Sequence, residues 1–188
     1  MKLLHIDSAI TGEASVSRKL SADVVAHLER LHPADLELTY RDLFADPLDH
    51  LTLGDMPAPE TPHAVLDEFL AADIVVIGAP MYNFAMPSQL KAWVDRILVA
   101  GRTFRYGDAG PVGLAGNTRV IVAVSRGNLY ADDAPAASHE HLETHLRTVF
   151  GFIGVTPEFV VAEGLLVGTG QREKALADAG RAIEALAA

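Results

Sequence analysis

Uniformly apolar runs alternate along this chain with stretches in which apolar positions recur every three or four residues. These two periodicities separate buried strands from amphipathic helices. Residues 2–7 read as a first strand, and Leu20, Val24, Leu28 and Leu31 follow at helical spacing behind Ser15 and Ser17. A second strand is predicted over 36–40. The segment 47–62, rich in Pro, Asp and Gly, reads as a loop that leads into a second helix over 62–72. Ile74-Val75-Val76-Ile77 is apolar on both faces, as a central strand of a parallel sheet covered by helices on each side must be, and it ends at Gly78-Ala79-Pro80. From Pro87, the positions Leu90, Trp93, Val94, Ile97 and Leu98 outline an amphipathic helix that Gly101 is placed to terminate. A strand over 120–124, a helix carrying Leu142, Leu146, Val149, Phe150 and Ile153, a strand over 159–161 and a last helix carrying Leu176, Ile183 and Leu186 complete the pattern. Such strand–helix alternation predicts an α/β fold with an open parallel sheet and helices on both faces. Ligands of that class sit beyond the carboxyl ends of the strands, which directs attention to the loops after strands one, three and four.

Composition narrows the reading without redirecting it. A chain of 188 residues with 49% hydrophobic content is expected to form a single domain, 1–188, with a sizeable core. A formal net charge of −10 opposes binding to a phosphate backbone, so nucleic acid is not an expected partner. With no cysteine there is no disulfide, thiol chemistry or cysteine metal site. His5 and Asp7 interrupt the first apolar run, and no later run approaches a membrane span, so a soluble, cytoplasmic protein without a membrane partner is expected.

Each of the three loops carries chemistry of its own. The first, 8–17, brings Ser15 and Ser17 and a run of backbone N–H groups to the start of a helix, where an anion such as a terminal phosphate is stabilised. Taken alone, the loop is better accounted for by simple helix capping by Ser15 or Ser17. Neither GxxxxGK[ST] nor GxGxxG occurs there, which disfavours a nucleoside triphosphate or a Rossmann-bound dinucleotide. The second loop, 81–87, sets Tyr82 and Phe84 beside Asn83, a combination suited to a flat heteroaromatic ring with a polar edge. An ordinary loop whose Phe84 packs inward and whose Pro87 opens a helix has the same composition. The third, 125–130, offers Gly127 for close backbone approach and Arg126 either to face a phosphate or ring edge or to lie solvated at the surface.

Two further constellations favour structural roles. His139, Glu140, His141, Glu143 and His145 crowd one helix, but the pattern is not HExxH, and a polar helix face is preferred to a metal site. Asp7 at the end of strand one invites comparison with a phospho-accepting receiver domain, yet strand three ends in Ala79-Pro80 and brings no second carboxylate.

The stretches Ala79-Pro80-Met81-Tyr82-Asn83-Phe84, Gln89-Leu90-Lys91, Gly101-Arg102-Thr103-Phe104-Arg105-Tyr106, Ser125-Arg126-Gly127, Gly151-Phe152-Ile153-Gly154 and Ala162-Glu163-Gly164 point further. Together they resemble the FMN-dependent NADH azoreductase family of flavodoxin-like NAD(P)H:quinone oxidoreductases, over nearly the whole chain. The resemblance implies a flavodoxin-like five-stranded sheet of order 2-1-3-4-5, a homodimer, and one tightly bound FMN per subunit near the interface. By position, Ser15, Val16 and Ser17 are implied to hold the FMN phosphate. Met81, Tyr82, Asn83 and Phe84 are implied to hold the isoalloxazine and ribityl region, and Ser125, Arg126, Gly127 and Asn128 the other side of the ring. Tyr106 and Phe152 are implied as walls of the substrate pocket, the latter contributed across the dimer. Two departures stand out: Ala9 replaces a serine of the first loop, and Asn128 replaces a glycine, as a residue that tolerates the left-handed region. The implied activity is two-electron, ping-pong reduction of quinones or aromatic azo compounds by NADH or NADPH. The flavin carries that chemistry, so no catalytic side chain is nominated. A non-enzymatic FMN electron carrier of the flavodoxin type and a flavin-free binding module remain alternatives.

Overall fold

The computed structural model describes residues 1–33, 36–55, 63–131 and 133–187. Strands β1 (Lys2–Asp7), β2 (Glu37–Asp42) and β3 (Ile74–Pro80) come first, with helices α1 (Val16–Leu31) and α2 (Ala64–Ala71) between them. Helix α3 (Ser88–Ile97) precedes a hairpin of β4 (Phe104–Gly107) and β5 (Gly110–Gly113). Strand β6 (Arg119–Ser125), helix α4 (Glu143–Phe152), strand β7 (Glu158–Ala162) and helix α5 (Thr169–Glu184) end the chain. The main sheet runs β2-β1-β3-β6-β7 with every pairing parallel, which is the expected five-strand order with the hairpin strands counted in. Among the described residues, no helix is long and apolar enough to cross a membrane.

Strand alternation divides the core in two. Leu4, Ile6, Val75, Ile77, Val120 and Val122 face α2, α3 and α4, where Phe69 and Trp93 meet edge to face at 5.8 Å. Leu3, Ile74, Val76, Ile121 and Ala123 face α1 and α5. That second layer is built from smaller side chains. The stripe α5 buries is Ala175, Ala179 and Ile183, so the predicted Leu176 and Leu186 lie at its margin, and Leu31 of α1 is exposed.

Several boundaries differ from expectation. Strand β2 begins at Glu37 and continues to Asp42, because pairing with β1 extends through Asp7↔Asp42. Strand β3 reaches Pro80, paired with Ser125, well past Ile77. Helix α2 begins at Ala64, capped by the His63 ring accepting from Leu66 N at 3.4 Å, while the expected start at Pro62 lies outside the described residues. So do 56–62 of the expected 47–62 loop. Helix α3 stops at Ile97, short of Gly101, where Thr103 Oγ1 donates to the Ile97 carbonyl at 2.6 Å and accepts from Val99 N at 3.0 Å. The β4–β5 hairpin was not anticipated. It is seated on the end of α4 by backbone contact: a Cβ on Gly113 would lie 2.1 Å from Gly154 N, and Ala115 N donates to the Ile153 carbonyl at 2.9 Å.

Candidate functional site

Beyond the carboxyl ends of β3, β6 and β7 lies a cleft of about 450 Å³, lined by Met81, Asn83, Phe84, Gly127, Tyr130 and Leu166 with their neighbours Asn128 and Val167. Its first wall is a tight turn. Tyr82 N donates to the Ala85 carbonyl at 2.9 Å and Ala85 N returns a bond to the Tyr82 carbonyl at 3.1 Å. The central residues have φ of 48° at Asn83 and 73° at Phe84, the double left-handed geometry of a type I′ turn. Asparagine tolerates this region; a phenylalanine there is strained, and such strain concentrates at sites that use it. Among the described residues, no hydrogen bond within the chain occupies the N–H groups of Asn83 and Phe84. Both remain available as donors at the cleft. Phe84 is 49% exposed; its ring packs against His139 at 5.5 Å, and its carbonyl accepts from His141 N at 3.0 Å.

The other walls are stitched to each other. Leu166 N donates to the Gly127 carbonyl and Gly164 N to the Asn128 carbonyl, both at 2.9 Å. A Cβ on Gly127 would come within 2.9 Å of Leu166 Cδ1, so its bareness admits that side chain. Asn128 does not adopt a positive φ, which corrects the reason expected for its presence; its Oδ1 accepts from Leu129 N at 2.9 Å instead. Ser125 sits behind this surface, its carbonyl accepting from Met81 N at 2.9 Å.

Arg126 takes neither of the roles expected for its side chain. It is 3% exposed, neither solvated nor among the residues that line the cleft. Its guanidinium is bound to Glu143 at 2.5 Å and stands 3.5 Å from Glu163 and 3.7 Å from Glu140. These carboxylates come from the start of α4 and the loop after β7, and the arginine draws both onto the 125–130 loop. Glu163 also accepts from Tyr130 N at 2.8 Å. Glu140 caps α4, accepting from Leu142, Glu143 and Thr144 N–H groups at 2.8–3.0 Å. Burial works to raise its pKa, but those N–H groups and Arg126 outweigh burial and hold the carboxyl below its ordinary value. The carboxylates of the His-Glu cluster are thus committed to an arginine and a helix end.

The first loop leads into α1 through Ser15, whose Oγ accepts from Arg18 N at 3.3 Å and meets Ser17 Oγ at 3.0 Å. Ser17 is fully buried, whereas Val16 is partly exposed. The N–H groups of Val16 and Ser17, on the first turn, have no carbonyl one turn earlier in the helix and are left as anion donors. Behind them is a polar cluster that sequence reasoning did not anticipate. Asp7 is buried, accepting from Ser21 Oγ at 2.8 Å and Tyr40 Oη at 3.1 Å, with Arg18 at 3.8 Å. Burial and the Asp7 charge push the Tyr40 phenol up to about 12, and burial lowers the pKa of His5, against the Asp7 charge. The hydrogen bond between Arg18 and Asp42 raises the pKa of the former and lowers that of the latter. This cluster opens on a separate cleft of about 480 Å³ that Ser15 also lines.

Tyr106 of the hairpin and Phe152 at the end of α4 are brought together through Phe104, at ring distances of 5.6 and 4.6 Å. Within one chain neither lines the cleft beside Phe84. Tyr106 is 75% exposed.

The model of a protein family described by its flavodoxin-like fold matches residues 1–187. The FMN-dependent NADH:quinone oxidoreductase 2 of Bradyrhizobium diazoefficiens is 58% identical, with all of both chains covered. An FMN-dependent NADH:quinone oxidoreductase of Methylorubrum populi is 57% identical, again over all of both chains. This chain belongs to the flavodoxin-like FMN-dependent NADH:quinone oxidoreductase family. Among solved structures, an azoreductase from Bacillus anthracis strain Sterne superposes with a TM-score of 0.84 at 29% identity, covering 99% of this chain and 100% of that one.

For a member of the FMN-dependent NADH:quinone oxidoreductase family, the cleft offers a largely apolar slot for a flat ring and two N–H groups without a partner among the described residues. The anion donors at the start of α1 stand on the separate cleft that Ser15 lines, tied to the turn through the Ile10 N–H and the Tyr82 hydroxyl. Sequence reasoning missed Leu166 and Val167 as wall residues. The signal for them in the sequence is the run Leu165-Leu166-Val167, apolar yet beyond the strand predicted over 159–161; in the structure Leu166 is 85% exposed.

Proposed function

We propose that this chain binds FMN in the cleft and uses NADH or NADPH to reduce quinones and aromatic azo compounds two electrons at a time. The observation that carries the proposal is the strained turn after the central strand, whose Asn83 and Phe84 line a largely apolar cleft and whose N–H groups have no partner among the described residues. A turn kept in that geometry with its donors unpaired suits a ligand edge that accumulates negative charge. High identity over full length to enzymes named for FMN, NADH and quinone supports the same reading.

FMN, when bound, supplies the two-electron chemistry that no side chain here can. The chain's own part is to hold, orient and enclose. Val16 and Ser17 N–H groups, with Ser15, receive the phosphate; Asn83 and Phe84 donate to the polar edge of the ring; Met81, Leu166 and Val167 exclude water from its faces. Gly127 and Asn128 form the opposite wall, and Ser125 and Arg126 act from behind it. Tyr106 and Phe152 serve as walls of the acceptor pocket, with Phe152 contributed across a homodimer. The whole of 1–188 forms one FMN-binding domain and acts in the cytoplasm.

The test is anaerobic stopped-flow mixing of the FMN-loaded protein with each nucleotide, followed by steady-state turnover with a quinone and an azo dye. Bleaching of the flavin and parallel-line, ping-pong kinetics are expected. A flavin that neither nucleotide bleaches, with a stable one-electron form on photoreduction, would overturn the enzyme reading in favour of a carrier.

A further inference from the structure

One peptide group of the first loop is gripped at both ends. The Ala9 carbonyl accepts from Arg18 Nη2 at 3.0 Å, and the N–H across the same bond, that of Ile10, donates to the Tyr82 hydroxyl at 3.2 Å. The Ala9–Ile10 peptide is trans, and in a trans peptide these two groups point in opposite directions. Partners on both therefore fix the rotation of the plane. The residue before is held as well, by Ser8 Oγ donating to the Gly78 carbonyl at 2.8 Å.

Each jaw of the clamp is itself secured. Arg18 is forked onto Asp42, with Nη1 at 2.8 Å and Nη2 at 2.6 Å, a geometry that only a guanidinium supplies. Asp42 also accepts from Phe44 N at 2.9 Å and Ala45 N at 3.3 Å. Tyr82 is bridged to Ala85 within the cleft turn. The clamp thus ties the loop ahead of α1 to β2 on one side and to the ring-facing turn on the other.

We propose that Arg18, locked by Asp42 and acting with Tyr82 through the Ala9–Ile10 peptide, is the positioning residue that selects a phosphorylated flavin over its dephosphorylated form. This rests on the FMN reading above. A carbonyl oxygen free to turn toward the α1 N-terminus would repel a phosphate there, and the clamp holds that oxygen on the guanidinium. It also fixes how far the anion donors of α1 stand from the ring-facing turn. A simple fastener between α1 and β2 would leave the choice of flavin untouched.

The apoproteins of the wild type, R18Q, R18K, Y82F and R18Q/Y82F are titrated with FMN and with riboflavin by flavin fluorescence, and bound FMN is observed by 31P NMR. R18Q is expected to weaken FMN by about tenfold, the size of one charge-assisted hydrogen bond, while riboflavin moves by less than about twofold. R18K follows R18Q, because the fork and not the charge is lost. Y82F lowers the same FMN-to-riboflavin ratio. The double variant loses less than the product of the two, since either cut frees the same peptide. The 31P resonance of bound FMN shifts in each variant. Equal losses for both flavins, or none for either, overturn the proposal. Should R18Q fail to fold, an unchanged ratio in Y82F, which removes a single oxygen, overturns it alone. A wild type that binds neither flavin overturns the FMN reading, and this inference with it.

Discussion

At Gly78, β3 passes so close to β1 and α1 that a methyl group would lie 2.2 Å from Asp7 Oδ1 and 3.3 Å from the Ser17 carbonyl. Asp7 cannot retreat, being held by Ser21 and Tyr40, so Gly78→Ala is expected to cost about 3 kcal/mol, read from urea midpoints. Phe84 presents the opposite case. Its left-handed backbone stores about 1 kcal/mol or more, and its half-exposed ring repays little of that by burial. Phe84→Gly is therefore expected to leave the apoprotein as stable or slightly more stable while weakening flavin retention, checked by chemical denaturation beside FMN titration. The two residues were unequally legible. The aromatic and amide character of 81–84 shows in the sequence, but its φ angles come from the Tyr82–Ala85 bridge. The demand on Gly78 comes from a carboxylate 71 positions earlier. Arg126 was the least legible: nothing near it in the chain announces Glu140, Glu143 and Glu163.

Among the elements, the strongly periodic ones were predicted and the hairpin was not. Strands β3 and β6 are buried on both faces and read as continuous apolar runs, whereas β4 and β5 are short, glycine-rich and largely exposed. Their stability comes from docking on α4, which Gly113 permits. Gly113→Ala would place a Cβ into Gly154, and it is expected to detach the hairpin, raising amide exchange across Phe104–Gly113 while the main sheet stays protected. The capping of α4 gives a pH dependence. The Glu140 carboxyl is held below its ordinary value in the folded protein, so the unfolded chain takes up the proton first as pH falls. Its contribution is then complete at neutral pH and is lost on acidification through the ordinary carboxylate range toward the lowered value. Glu140→Gln should cost about 1 kcal/mol at neutral pH and flatten the loss of stability between about pH 5 and pH 3, measured as denaturant midpoints against pH.

For the whole molecule, binding and folding are linked. If the cleft and first loop hold FMN only when folded, free FMN at about one hundred times its Kd raises unfolding free energy by about 2.7 kcal/mol. A denaturant midpoint unmoved by FMN would contradict the assignment of the cleft. What the sequence by itself determined is the parallel α/β architecture, the loops beyond the carboxyl ends of the strands and the residue types of the 81–84 turn. These follow from periodicity and from side chains adjacent in the chain, which act on their own neighbourhood. Tertiary structure alone decided which donors stay unpaired, that Arg126 is spent on carboxylates, that Leu166 and Val167 close the cleft, and that one loop peptide is clamped between Arg18 and Tyr82. The reason is distance along the chain. Ile10 and Tyr82 lie 72 residues apart, and only the packing of β1 beside β3 brings a hydroxyl to an N–H.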